Sequence, residues 1–200
     1  MSKLVPVVPK SVSTAGWDAM TDVTVAKNKN NLFRWYLNST TMQVEWEDPT
    51  LLQIHDGKTE WEASSGVIEL PNANEWVYLL INTSMPVAHP IHLHGHDFHI
   101  LAQGTGPWDG TTVTSNPPRR DTALLESSGY LLMAWETDNP GAWLMHCHIG
   151  WHTSEGFALQ FIERYEEAKK LIDYDYVNDN CKSWIEYDGE FSIEQEDSGV

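Results

Sequence analysis

A chain of 200 residues with 41% hydrophobic composition carries enough apolar material for one domain with its own core, which excludes wholesale disorder. Its 12 basic and 29 acidic residues leave a formal net charge of −17, which excludes a polyanion such as nucleic acid as the main partner. The longest apolar runs, 76–81 and 130–135, fall far short of the roughly 18 residues a spanning helix needs, so no membrane segment is predicted.

In chain order, residues 1–28 carry Pro6, Pro9 and Gly16 without an apolar period and read as an arm or linker. The start has no basic stretch followed by an apolar run, so no export signal is visible. From Leu32 the texture changes to short apolar or alternating runs. Strands are predicted over 32–37, 42–46, 67–70, 76–81, 98–102, 122–125, 130–136, 143–148 and 158–162, by period and composition. Turn chemistry separates them at 56–57, 104–110, 116–118 and 138–141, where Gly, Pro, Asn and Asp collect. Many short strands predict an all-β sandwich or barrel over residues 29–163. Beyond it, 163–173 lacks Gly and Pro and pairs Glu166 with Lys170, the i,i+4 spacing of a helix. The remainder of 164–200 is rich in acids and reads as a solvated tail.

The histidines are not scattered. Of nine, all but His55 fall within 89–99 and 146–152. In an extended chain, residues i and i+2 share a face and i+1 takes the other. His146 and His148 therefore point one way and Cys147 the opposite way. His92 and His94 share a face, while His89, beyond Pro90, can turn to the other. Two metal centres follow: His92, His94, His146 and His148 on one side, and His89, Cys147 and His152 on the other. A four-imidazole side suits copper, iron or zinc. A thiolate with two imidazoles suits blue copper. Zinc is the rival, yet its structural sites use paired cysteines and its catalytic sites need only three ligands. Seven candidates in two alternating sets favour copper. His96 and His99 read as hydrogen-bonded or core histidines, His55 as a loop residue, and Asp97 as a candidate to orient an imidazole.

The segments His89-Pro-Ile-His-Leu-His-Gly-His96 and His146-Cys-His-Ile-Gly-Trp-His152, followed by Gly156, resemble the two C-terminal copper signatures of multicopper oxidases. The stretches 116–121 and 137–143 resemble laccases, and residues 197–200, Asp-Ser-Gly-Val, resemble the C-terminal plug of ascomycete laccases. The resemblance implies a cupredoxin-like Greek-key β-sandwich with a C-terminal helix and tail. Position by position, it implies type 1 copper on His89, Cys147 and His152, type 2 copper on His92, and a type 3 pair on His94, His146 and His148. The family's axial position falls on Phe157, which cannot ligate, and losing an axial donor raises the potential. Trp151 matches a position that lines the phenol pocket. The implied reaction passes single electrons from a phenol through the edge of His152 and from Cys147 to His146 or His148. Four such transfers reduce dioxygen to two waters.

The family's trinuclear cluster takes four further histidines from an N-terminal domain. His55 has no second histidine two residues away, so this chain cannot complete the cluster. Cys181, the other cysteine, has no partner within the chain if Cys147 binds copper, and the resemblance implies a disulfide to the missing N-terminal domains. The expectation is therefore the third domain of a secreted, extracellular laccase-like enzyme, present as a fragment or truncated product. The sequons at Asn38 and Asn82 fit a glycoprotein. A stand-alone blue-copper module, an inactive relic, and an oxidase for ascorbate, bilirubin or Fe(II) remain as alternatives.

Overall fold

A computed structural model describes residues 4–192 and 194–196; the plug-like 197–200 lie outside the described residues. Among the described residues eleven strands form two sheets. The larger runs β2-β1-β4-β9-β6-β7 and the smaller β3-β11-β10-β5-β8. In chain order these are β1 (Trp17–Lys27), β2 (Phe33–Leu37), β3 (Val67–Leu70), β4 (Trp76–Thr83), β5 (His89–Leu93), β6 (Phe98–Thr105), β7 (Arg119–Arg120), β8 (Thr122–Leu125), β9 (Gly129–Glu136), β10 (Gly141–Cys147) and β11 (Ala158–Glu163). The described residues also form the α-helices α1 (Thr50–Asp56), α2 (Gly150–Ser154), α3 (Tyr165–Leu171) and α4 (Tyr174–Phe191). From β3 to β6 and again from β7 to β10 the chain passes repeatedly between the sheets. The result is the expected sandwich. Among the described residues no helix is long and apolar enough to cross a membrane.

The core lies between the sheets. Val77, Leu79, Ile81, Leu131, Met133 and Trp135 from the large sheet meet Ile91, Leu93, Leu125, Met145 and Phe161 from the small one. Burial alternates along β4 and along β5, as a pleated strand requires. At about 1.5–3 kcal/mol for each fully buried large apolar side chain, this layer fixes the backbones of β5 and β10. Cys147 is itself part of it, so one candidate ligand is set by core packing.

Three expectations are corrected. The segment 17–27 is no arm: it forms β1, antiparallel to β2 and parallel to β4. Ala19, Thr21, Val23 and Val25 alternate there with Asp18, Met20, Asp22 and Thr24, a period masked by small and polar residues. No strand forms over 42–46. That segment spends its amides singly, Met42 on the Gly156 carbonyl and Gln43 on the Ser64 carbonyl, and never builds a ladder. Beyond the predicted helix, the acidic region forms α4, capped by the Asp173 carboxylate, which accepts the Tyr176 N–H at 3.2 Å.

Candidate metal centre

Antiparallel pairing of β5 and β10 sets His146 directly opposite His92 and Cys147 opposite Ile91. His89, Ile91 and Leu93 point into the core, and His92 lies on the opposite face. On β10 Cys147 is buried while His146 is half-buried. The α2 turn then brings His152 back over Cys147. Its Thr153 hydroxyl donates to the Cys147 carbonyl, tying the turn to the strand end. Gly156 closes this loop at φ +96°, where an added Cβ would lie 2.0 Å from Thr41 Oγ1.

The inward group converges on one point. His89 Nδ1 lies 3.2 Å from His152 Nδ1, and Cys147 Sγ lies 3.8 and 3.6 Å from those two atoms. A centre equidistant from all three would sit about 2.1 Å from each, close to typical metal–imidazole and metal–thiolate lengths. Two imidazoles and one sulfur in a near-trigonal set are the donors that blue copper takes, so the residues fit that ion. His89 and Cys147 are fully buried. Burial, aided by His152, pushes the His89 imidazole down to about 4. Burial pushes the Cys147 thiol up to about 11 and holds the His152 imidazole below its ordinary value. Both imidazoles thus stay neutral, as a metal requires, and a metal must displace the thiol proton.

Phe157 is buried with its ring centroid 5.0 Å from that of His89 and presents no donor atom. Trp35, which the sequence did not single out, packs its ring 4.3 Å from His152 and 4.9 Å from His89. Its indole N–H donates to Glu155 at 3.0 Å. Tertiary packing alone brings it there, because it enters from β2, more than fifty residues upstream of His89. Trp151 is 75% exposed beside His152 and plays no part in the core.

The outward group is built differently. His94 Nε2 and His146 Nε2 lie 3.2 Å apart, and His92 joins them within 4.8 Å. The His92 Nδ1–H donates to the Asp121 carbonyl at 2.7 Å, and the His146 Nδ1–H to the Cys147 carbonyl at 2.9 Å. Each bond leaves the Nε2 lone pair free to point outward. Burial and neighbouring imidazoles hold His94 below its ordinary pKa. Burial does the same for His146, against its bond to Cys147. His148 packs beside them, its ring centroid 5.6 Å from that of His146 and 5.9 Å from that of His92, but it is not one of the three whose donor atoms converge. The group opens to solvent in a cavity lined by His92, His94, His96, Asp97, Asp121 and Trp143.

The remaining histidines lie outside both groups. His96 Nε2 sits 2.9 Å from the buried Glu163 carboxylate. His99 is buried beside Trp76. His55 stacks on Tyr174 at 3.8 Å. Asp97 faces Arg119 at 3.5 Å. Cys181 is a free, buried thiol on α4.

A family model described as multicopper oxidase matches residues 43–167. Laccase-2 of Botryotinia fuckeliana is 39% identical over 204 residues, covering 96% of this chain and 35% of its own length. The laccase of Neurospora crassa is 37% identical over 211 residues, covering 94% of this chain and 33% of its own length. The crystal structure of laccase from Botrytis aclada superposes with a TM-score of 0.91 at 38% identity, over 100% of this chain and 38% of that one. The chain therefore spans about a third of the length of the relatives it matches. Against that background the inward group is type 1-like, and His92, His94 and His146 are cluster-like.

Proposed function

Because this chain belongs to the multicopper oxidase family, we propose that it is the copper-bearing C-terminal domain of a laccase-like enzyme that oxidises phenols and reduces dioxygen to water. The observation that carries the reading is the back-to-back arrangement of two donor groups, covalently joined through His146-Cys147-His148. His89, Cys147 and His152 would hold the mononuclear ion. His92 would serve the type 2 position. His94 and His146, with Nε2 atoms 3.2 Å apart, would share one ion of the type 3 pair, and His148 would serve the other. Bound copper supplies one-electron chemistry at the first group and, once the cluster is completed, reduction of dioxygen.

The chain's own residues do the rest. Buried Phe157 packs against His89 and offers no donor atom, so it would add no further ligand to an ion held there, which would favour the reduced form. Trp35 packs against the His152 ring, which stays half-buried and so keeps an edge toward solvent. The exposed Trp151 gives a phenol an aromatic surface beside His152. Upstream domains would supply the missing cluster ligands and a cysteine for Cys181. The exposed sequon at Asn38 supports an extracellular enzyme.

Loading the chain with Cu(II) should give an intense visible thiolate-to-copper band that Cys147→Ser abolishes. The loaded chain alone should consume no dioxygen with a phenol; joined to the upstream domains, it should. A folded, loaded chain without the band would overturn the reading, as would rapid turnover by the chain alone. A stand-alone blue-copper module is the second reading, favoured by the completeness of the inward group within this chain. Oxygen uptake that fails even with the upstream domains would select it.

A further inference from the structure

We propose that Glu163, acting through His96 and Asn139, is the positioning residue that holds His94 in the outward histidine group; the inference rests on that group taking a metal. His92 and His146 are aimed by their own ring bonds to backbone carbonyls. His94 lies one residue past the end of β5, and among the described residues no protein group bonds its Nδ1. Its backbone N–H donates to the Leu144 carbonyl at 2.8 Å on the strand side, and on the other side the 94–97 turn is caught at both of its first carbonyls.

Asn139 Nδ2 donates to the Gly95 carbonyl at 2.9 Å, and His96 Nδ1 lies 3.2 Å from the His94 carbonyl. Both latches end on one carboxylate. The Asn139 backbone N–H donates to Glu163 Oε1 at 2.7 Å, and His96 Nε2 lies 2.9 Å from Glu163 Oε2. Glu163, the last residue of β11, is fully buried. Asn139 is hydrogen-bonded to this buried carboxylate, whereas His96 Nε2 and Glu163 Oε2 meet at contact distance without hydrogen-bond geometry, so Glu163 ties the first latch directly and holds the second by close packing. Trp143 completes the clamp. Its indole N–H donates to the Asn139 carbonyl at 2.7 Å, and its ring lies where a Cβ on Gly95, at φ +73°, would come within 2.5 Å. Glu163 is separated from His94 by nearly seventy residues and touches neither donor group. Its effect would run entirely through the turn.

The test compares the two groups within one molecule. The chain is titrated with Cu(II), the inward group being read by its visible band and the outward group by nitrogen-coupled copper resonance. In parallel, histidine-labelled, metal-free protein reports the His94 ring nitrogens by NMR. Glu163→Gln and Asn139→Ala should each weaken copper at the outward group by about 10- to 100-fold, leave the Cys147 band in place, and broaden or shift the His94 ring signals. Should Glu163→Gln fail to fold, Asn139→Ala decides, since it removes only a half-buried amide. Unchanged outward-group affinity and unchanged His94 signals in a folded variant would overturn the proposal. If the unmodified chain binds no copper at the outward group without the upstream ligands, the His94 signals alone judge the clamp, and the functional reading is judged by the Cys147 band.

Discussion

Gly156 shows how one residue sets the inward group. It lies between the turn that carries His152 and Phe157, the residue that leads into β11, at φ +96°, a region costly for any residue with a Cβ. Its carbonyl also accepts the Met42 N–H at 3.2 Å, so the backbone on both sides is fixed. Gly156→Ala adds left-handed strain of about 1 kcal/mol and drives its methyl into Thr41 Oγ1. The expected loss is about 2–3 kcal/mol in all, read as a fall in the urea midpoint of the copper-free chain. Combining it with Thr41→Ala should recover the steric part and leave the strain. A double variant no more stable than Gly156→Ala alone would locate the cost elsewhere.

At the scale of elements, α4 is held by aromatic contacts at two points. His55 on α1 stacks on Tyr174, and Trp46 meets Trp184 with ring centroids 4.5 Å apart. Between them Cys181 is buried. Trp184→Ala should free the C-terminal half of the helix while leaving the sandwich intact. Alkylation of Cys181, followed by peptide mapping, should then run at least tenfold faster, with the urea midpoint moved little. Equal labelling rates would show that Trp184 does not cover the thiol. The same helix marks where the sequence was hard to read. Asp175, Asn178, Asp179 and Asn180 are weak helix formers, and their charge reads as a solvated tail until tertiary aromatic contacts are known. The strand β1 was hidden for a related reason: its inward face is Ala19, Thr21, Val23 and Val25, too small and polar to stand out. Strands written as unbroken apolar runs, such as β4 and β9, were legible to within two residues. The opposed faces of His146 and Cys147 were legible too, because the two-residue strand period alone dictates them. The contact of Trp35 with His152 was not, since it depends on how distant strands pack.

For the whole molecule, the direction of proton linkage follows from the histidines. His89, His94, His99, His146 and His152 are all held below the ordinary imidazole value, burial being the main cause in each. For His99 the cations Arg119 and Lys10 add to it. A group whose folded pKa is lowered binds more protons unfolded than folded, so its contribution is complete above about 6.5 and is lost as pH falls toward the folded value. With His89 at about 4, that residue alone withdraws about 2 kcal/mol between pH 7 and pH 5. Carboxylates remain largely ionised over that interval, so relief of the −17 charge does not offset the loss. Cys147 bounds the other side. With its thiol raised from 9.0 to about 11, the unfolded chain releases that proton first, and stability declines as pH rises past about 9. Urea unfolding of the copper-free chain should therefore give greatest stability between about pH 6.5 and 9, with Cys147→Ser flattening the alkaline limb only. A bound metal reverses the second effect, because the thiolate it needs is then the folded form, and the copper-loaded chain should lose its alkaline decline while keeping acid sensitivity through proton competition for the ligands. Stability that stays level or rises from pH 7 to pH 5 in the copper-free chain would mean that the histidines are hydrated in solution and that neither donor group is held closed without its metal.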